Sequence, residues 1–193
     1  MKLFLIRHGQ TEANLNRIYS GQTDVQLTEK GREQATAIRP LLANMTFDRV
    51  YSSDLSRAID TQRLALPGVE GERTALLREI DVGRAAGCTW GQVPCAPEGW
   101  SSARDDDPYV CVGGESRAQV KERVTSFLRM LEEAPCDRVV AFAHGGIIGT
   151  MMRIVLGDGI LKGSFNPENC SIHVFEYDGT RWKLLAFNYM KEF

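Results

Sequence analysis

The sequence predicts an α/β fold, a three-layer α/β/α sandwich around a mostly parallel sheet, and three observations support this prediction. Apolar runs such as LFLI and VVAFA are continuous rather than alternating, as in strands that are buried on both faces. Segments with helical spacing follow these runs, so strands and helices alternate along the chain. With 193 residues, of which 43% are hydrophobic, the chain is long enough to form a single domain with a sizeable core.

The first half of the chain contains two predicted strands, KLFLI and FDRVYSS, and two predicted helices. The segment 27–45 has apolar residues at helical spacing, with Thr28 as its N-cap and Pro40 as a kink. A second helix, in DLSRAIDTQRLAL, is predicted to begin near Ser53 or Asp54.

The second half of the chain continues the alternation and ends in a hairpin. SRAQVKERVTSFLRMLEEA is a predicted helix, because Ser116 and Gln119 form a capping box ahead of an apolar stripe. CDRVVAFAH is a third buried strand, and it runs into a helix led by Gly145. The last segment, SIHVFEYDGTRWKLLAFNYM, has the pattern of an antiparallel hairpin that turns at Asp178 and Gly179.

The segment 82–113 departs from this alternation. It is rich in Gly, Pro and Asp, and it carries Trp90, Trp100 and Tyr109. Long irregular segments in compact domains are often lids or binding loops. We therefore predict a lid that sets specificity; the alternative is a surface excursion that its aromatic residues hold in place.

Composition limits the partners and the environment of the protein. The formal net charge is −2, so we expect no broad basic surface for nucleic acid or an anionic membrane. The five cysteines are odd in number and form no C-x-x-C pair, which argues against a disulfide framework or a zinc site and favours the cytoplasm. The N-terminal apolar run is too short for a signal peptide, and Arg153 interrupts the longest later run, which cannot span a bilayer.

Three predicted strands end on residues that suit an anion. The first strand ends on Arg7 and His8, and the third ends on His144. Arg57 follows the second strand, in the first turn of its helix. Ligands of open α/β sheets bind beyond the carboxyl ends of the strands, so these side chains are expected to meet. A glycine follows each histidine, and glycine lets a ligand approach the backbone.

Paired arginine donors match phosphate oxygens, and the helix N-terminus after His144 offers further N–H groups. The sequence therefore predicts a local site for a phosphoryl group. The alternative to such a site is purely structural: the first strand reaches the surface at Arg7, and its charged end binds no ligand. The remaining histidine, His173, lies inside the last hairpin and is expected to be structural or on the surface.

The ordered motifs of the chain resemble those of the histidine phosphatase superfamily, which includes the phosphoglycerate-mutase-like proteins. The matching segments are LIRHGQTEAN, YSGQTDVQLTEKGREQA, VYSSDLSRAIDT, LLREIDVG, GGES and AHGG, in that order and over nearly the whole chain. The resemblance implies a phosphoglycerate-mutase-like sandwich and a phosphatase that forms a phosphohistidine intermediate. Fixed cations stabilise the transferred charge in such a site, so no metal and no cofactor are expected.

The resemblance also implies a role for each matching residue. His8 is the implied nucleophile, and Glu79 is the implied general acid and, later, general base. The implied phosphoryl-binding residues are Arg7, Arg57 and His144. The residues implied to line the phosphate and substrate side are Asn14, Ser20, Gly21 and Gly145, the last through its N–H. Without the resemblance, the sequence favours Glu79 as one charge on a solvated loop, because most acidic residues lie on the surface.

Three alternatives to this function stay open. Cys111 and Arg117 have the C-x5-R spacing of cysteine-dependent phosphatases, but an acidic, proline-broken run precedes Cys111 where such enzymes need a buried strand. Phosphoglycerate-mutase-type transfer is disfavoured, because RDDDP in the predicted lid would repel a bisphosphate. A non-catalytic module that binds phosphorylated partners is the third alternative.

The substrate is expected to be a small phosphorylated metabolite. Sugar phosphates, nucleotides, α-ribazole phosphate and phosphoproteins all remain open. Ala85 and Ala86 stand where many members of the family have a tryptophan and a glutamate, which points to an altered substrate pocket. The terminal hairpin can pair with a second copy, so a homodimer is one outcome that the sequence allows.

Overall fold

A six-stranded sheet in the order β3-β2-β4-β1-β5-β6 forms the centre of the protein. The computed structural model describes residues 1–93, 96–100, 107–133, 136–157 and 166–189. The strands are β1 (Lys2–Arg7), β2 (Arg49–Ser53), β3 (Glu72–Thr74), β4 (Arg138–Ala143), β5 (Ile172–Tyr177) and β6 (Trp182–Tyr189). The first four strands pair in parallel and the last two pair antiparallel, which confirms the mostly parallel sheet and the terminal hairpin.

Helices cover both faces of this sheet and complete the three predicted layers. They are α1 (Glu12–Leu15), α2 (Glu29–Ala37), α3 (Arg39–Ala43), α4 (Ser56–Ala65), α5 (Arg117–Glu132) and α6 (Gly145–Leu156). Successive strand residues point to opposite faces, so Phe4 packs among α2, α3 and α4, whereas Leu5 packs among α5 and α6. Burial on both faces is the physical reason for the continuous apolar strands.

Local capping signals are confirmed where the sequence showed them. The Thr28 side chain accepts the N–H of Gly31 at 3.0 Å, and Ser116 and Gln119 form both hydrogen bonds of the capping box. None of the helices in the described part of the chain is long and apolar enough to cross a membrane.

Two helix predictions are wrong in their boundaries. The single helix predicted over 27–45 is two helices, because Pro40 lies in the first turn of α3, where its missing N–H has no helical partner to lose. The helix α4 begins at Ser56 rather than near Ser53 or Asp54, because Ser53 still belongs to β2 and Leu55 has an extended backbone. The strand β3 and the helix α1 were not predicted, because they are too short to show a periodic pattern.

The register of the sheet sets up one functional edge. Arg7 pairs with Ala143, and Ser52 pairs with Phe142, so the carboxyl ends of β1, β2 and β4 lie level with one another. The residues that follow these three strand ends therefore face the same region of space, as the sequence predicted.

Candidate active site

The residues at the strand ends meet in a buried cluster. His8 follows β1, His144 follows the adjacent strand β4, and their ring centroids lie 5.1 Å apart. Arg57, in the first turn of α4, reaches the same cluster and is 1% exposed. The structure thus brings together groups that are separated by up to 136 positions in the chain.

Hydrogen bonding determines the tautomer of His8. Its Nδ1 lies 2.7 Å from the carbonyl oxygen of Gly9, and a carbonyl can only accept a hydrogen bond. Nδ1 therefore carries the hydrogen and Nε2 keeps its lone pair. Burial, followed by the charges of Arg57 and Arg7, holds the pKa of His8 well below its ordinary value, so the ring is neutral at neutral pH.

His144 has the opposite tautomer. Arg57 donates its Nε–H to Nδ1 of His144 at 3.2 Å, so the hydrogen of the neutral ring lies on Nε2. That Nε2–H donates to Ser53 Oγ at 2.9 Å. Burial and then the charge of Arg57 hold the pKa of His144 well below its ordinary value. Nothing in the sequence distinguished Ser53 from other residues at a strand end.

The two arginines are held by backbone carbonyls. Arg57 donates from Nη1 to Thr23 at 3.0 Å and from Nη2 to Gly21 at 2.7 Å. Arg7 donates from Nη1 to the carbonyl of Pro167, and its buried Nε has no hydrogen-bond partner in the part of the chain that the structure describes. Buried donors are rarely left unpaired, so this Nε is available to an anion.

Glu79 lies at the N-terminus of α6. Its carboxylate accepts the N–H of Gly146, 3.1 Å from Oε1, and the N–H of Ile80, also at Oε1, at 2.9 Å. The positive end of the helix dipole favours the negative charge there. A Cβ at residue 146 would lie 2.3 Å from Oε1 of Glu79, so only glycine allows this approach.

The glycine that follows His8 has a packing role that the sequence did not predict. A Cβ on Gly9 would lie 2.3 Å from the carbonyl oxygen of Gly31, in α2. Gly9 thus lets helix α2 approach the strand end, and the expectation that it also makes room for a ligand stays a prediction. Gly9 also donates its N–H to Thr61 Oγ1 at 3.0 Å, which ties the same loop to α4.

A cavity of about 210 Å³ opens beside Arg7 and Glu79. The predicted substrate residues Asn14, Ser20 and Gly21 line it, whereas the lining contains Gly146 in place of the expected Gly145. The other lining residues are mostly apolar or aromatic: Ile18, Tyr19, Ile80, Val82, Trp90 and Tyr109.

The described parts of the segment 82–113 fold against the loop that carries Tyr19. The Tyr19 ring lies 6.3 Å from Trp90, 6.1 Å from Trp100 and 6.0 Å from Tyr109, measured between centroids. A small apolar cluster beneath them contains Val82, Ala85, Val93 and Val112. The first three residues of RDDDP, 104–106, lie outside the described residues.

Asn169 is a further residue of the site that the sequence analysis missed. Its Nδ2 donates to the carbonyl of His8 at 3.0 Å and to Asn14 Oδ1 at 3.2 Å. It precedes β5 and belongs to no motif, so only the antiparallel pairing of β5 with β1 brings it here.

Two side chains that the sequence did not favour for catalysis, Cys111 and His173, lie elsewhere. Cys111 is exposed and does not line the cavity. His173 is buried in β5 and hydrogen-bonds to Ser171 Oγ at 2.9 Å. Burial lowers the pKa of His173 to about 3, so this ring is a neutral structural group.

Comparisons with known proteins agree with this geometry. Residues 3–190 match the family model of the histidine phosphatase superfamily, branch 1. A glucosyl-3-phosphoglycerate phosphatase from Mycolicibacterium vanbaalenii is 38% identical over 168 residues, which are 81% of this chain and 74% of that protein.

Two solved structures share the fold. The mycobacterial glucosyl-3-phosphoglycerate phosphatase in complex with VO3 has a TM-score of 0.83 and 30% identity, over 97% of this chain and 98% of that one. A phosphoglycerate mutase from Bacillus anthracis has a TM-score of 0.84 and 25% identity, over 98% and 93% of the two chains.

Proposed function

Because the chain belongs to the histidine phosphatase superfamily, we propose that His8 takes the phosphoryl group from a phosphomonoester and that water then releases it as inorganic phosphate. The chain is a phosphoric monoester hydrolase of this superfamily. The observation that carries the assignment of roles is the neutral His8, whose Nε2 lone pair lies in a cluster with two guanidinium groups.

In the first step, the lone pair of His8 Nε2 forms a bond to phosphorus while the bond between phosphorus and the alcohol oxygen breaks. The guanidinium groups of Arg7 and Arg57 stabilise the charge on the phosphoryl oxygens. The departing alkoxide takes a proton from Glu79. In this step the carboxyl group of Glu79 acts in its protonated form and is left as the carboxylate that the second step uses.

In the second step, water attacks the phosphohistidine and gives a proton to the Glu79 carboxylate. The bond between phosphorus and Nε2 breaks, and His8 returns to its neutral form. The hydrogen bond from Nδ1 of His8 to Gly9 keeps the same nitrogen available in every turnover. Fixed protein charges supply all the stabilisation that this sequence of steps uses.

The walls of the cavity support a phosphorylated sugar as the substrate. Arg7 is the one cationic side chain among the lining residues that the structure describes. The aromatic wall of Tyr19, Trp90 and Tyr109 offers flat faces to the apolar side of a sugar ring, while Asn14 and Ser20 offer hydrogen bonds to its hydroxyls. The relatives named as glucosyl-3-phosphoglycerate phosphatases support the same class of substrate.

This lining also favours hydrolysis over mutase-type transfer. Arg7, which the proposed reaction uses for the transferred phosphoryl group, is the one cation in the described lining, so this lining offers no second cation to pair with the other phosphate of a bisphosphate. An unpaired phosphate in such surroundings is strongly disfavoured.

We assign the segment 82–113 as the part of a single domain that covers the substrate, since Trp90 and Tyr109 belong to it and line the cavity.

The same proposal includes the environment and the assembly of the protein. The described cysteines are all free, which supports a reducing cytoplasm. The strand β6 forms one edge of the sheet, and edge strands are templates for pairing with a second copy, which supports a homodimer. Light scattering coupled to size exclusion distinguishes a dimer from a monomer.

The test of the function is phosphate release from a panel of phosphomonoesters, without added metal, by the wild-type chain and by His8→Ala. We expect the fastest turnover with phosphorylated sugars and a loss of about 10³-fold or more in the variant, because its nucleophile is gone. Turnover by His8→Ala equal to wild type would overturn the assigned nucleophile. If the folded wild-type chain binds phosphate but hydrolyses none of the panel, the protein is a binding module instead.

A further inference from the structure

The side chain of Arg123, on α5, hydrogen-bonds to the backbone of the segment that carries Glu79. Its Nη1 donates to the carbonyl oxygens of Leu76 at 3.0 Å and Arg78 at 2.8 Å. Its Nη2 lies 3.4 Å from the carbonyl oxygen of Glu79 itself. One guanidinium thus contacts three of the four carbonyls from residue 76 to residue 79.

Glu115 completes this arrangement. It pairs with Arg123 through both carboxylate oxygens, at 3.0 Å from Nε and 2.8 Å from Nη2. The same carboxylate accepts the N–H of Asp81 at 2.8 Å, and the N–H of Glu115 donates to the carbonyl of Asp81 at 2.8 Å. The two side chains are only 15% and 20% exposed, so solvent screens this ion pair weakly.

The pair lies where the segment 82–113 leaves and rejoins the rest of the chain. Asp81 precedes this segment and Glu115 follows it closely. A Cβ at Gly114 would lie 2.3 Å from the carbonyl oxygen of Asp81, so glycine is needed for the backbone at residue 114 to come this close to the backbone at residue 81. The contacts around Arg123 therefore hold the acid-bearing segment and the base of the substrate-covering segment together.

We propose that Arg123 and Glu115 are positioning residues for the general acid, an inference that rests on the proposed function. Glu79 must meet Gly146 on α6, yet its own segment has only a short turn of regular structure, Ala75–Leu77. Arg123 lies on α5, which packs beside α6 on the same face of the sheet. The bidentate pair between Arg123 and Glu115 thus fixes the backbone of Glu79 relative to α5 and α6. A general acid must be held within hydrogen-bond distance of the leaving oxygen, and this pair contributes to that position.

The test compares two substrates with Arg123→Gln and Arg123→Lys. An alkyl phosphate has a poor leaving group that needs a proton, whereas p-nitrophenyl phosphate has a good one that does not. We expect Arg123→Gln to lower kcat about tenfold or more on the alkyl phosphate and less than about twofold on p-nitrophenyl phosphate, since a displaced acid loses part of its usual contribution. Arg123→Lys keeps the charge beside Glu115 and should recover part of the loss.

Two controls separate positioning from mere stability. Arg129→Gln removes an exposed charge from the same helix and should leave both rates at the wild-type level. In a Glu79→Gln background, Arg123→Gln should add little further loss, because the group that it positions is already gone. If Arg123→Gln does not fold, Glu115→Gln is measured in the same way.

An equal loss on both substrates, or a full further loss in the Glu79→Gln background, would mean that Arg123 only stabilises the fold, and would overturn the proposal. The proposed function fails separately if Glu79→Gln itself affects the two substrates equally. Melting temperatures of all variants, measured alongside, ensure that each rate is compared on folded protein.

Discussion

The carboxylate of Glu79 and the N–H of Gly146 are hydrogen-bonded at 3.1 Å, so the general acid of the proposed reaction lies on the N-terminus of a helix before any substrate is present. This contact stabilises the ionised form of the carboxyl group. The proposed reaction needs this contact to hold the carboxyl group where the leaving oxygen of the substrate departs.

Replacement of Gly146 by alanine should impair catalysis through this contact. The added Cβ would lie 2.3 Å from Oε1 of Glu79, so the carboxylate must move by about 1 Å, and a misplacement of that size lowers kcat by about 10²-fold. Gly149→Ala, in the same helix, is the matched control, because its Cβ would meet nothing closer than Arg153 Nη1 at 4.0 Å. Steady-state kinetics on an alkyl phosphate would contradict the prediction if the two variants had equal rates.

Replacement of Glu79 by glutamine should slow the substrates with poor leaving groups most. Glutamine keeps the size of the side chain but cannot give up a proton, and general acid catalysis contributes about 10²–10⁴-fold where the leaving group needs one. A plot of log kcat against the pKa of the leaving alcohol should therefore become steeper. Parallel plots for the two proteins would show that Glu79 only holds the substrate.

His8 should become phosphorylated during turnover. The protein reacts with labelled substrate for a few milliseconds and is then quenched with alkali. Alkali preserves phosphohistidine, whereas acid destroys it. We expect the label on the peptide that contains His8 and no label in His8→Ala. Stable label on serine or cysteine, Cys111 included, would contradict the assigned nucleophile.

Acid should destabilise this protein steeply below about pH 6.5. All three histidines are buried, and burial is the first cause of the lowered pKa of each one. Between the ordinary pKa of 6.5 and the lowered folded values, the unfolded chain binds protons that the folded chain does not, so stability falls as pH falls. Three such groups give a slope of about 4 kcal/mol per pH unit at most.

His173→Gln tests this slope, because residue 173 lies outside the proposed machinery and its pKa of about 3 keeps it neutral when folded over the whole range. Urea denaturation at pH 7, 6 and 5 should show the pH dependence of the unfolding free energy reduced by about a third. An unchanged slope would mean that His173 is protonated in the folded protein.

Trp90→Ala should weaken the binding of the sugar half of the substrate alone. Trp90 lines the cavity and is 49% exposed, so its removal disturbs no core packing. An aromatic contact contributes about 0.5–1.5 kcal/mol, which corresponds to a rise in KM of about twofold to twelvefold for sugar phosphates. Inhibition by inorganic phosphate, which does not reach this wall, should keep its wild-type constant; a weaker phosphate inhibition would place Trp90 at the phosphoryl site instead.

The sequence by itself determined the layers and the edge of the sheet where the site lies. The local signals were the continuous apolar strands, the Thr28 cap and the Ser116 capping box. Such signals arise among residues a few positions apart, so they can be recognised in a single sequence. The ordered motifs then pointed to His8 and Glu79 through resemblance. The break at Pro40 was visible as well, although its outcome, two helices rather than one kinked helix, was not.

Only the tertiary structure decided how these residues work together. The tautomer of His144 depends on Arg57, 87 positions away, and the docking of Glu79 depends on Gly146, 67 positions away. The hydrogen bonds from Arg123 to the backbone before Glu79 produce no pattern among neighbouring residues of the sequence, and neither does the close contact between Gly9 and Gly31. Each of these depends on the distance and direction between two backbones, and those are set when helices and strands pack, because a hydrogen bond or a steric contact is a relation in space rather than in sequence.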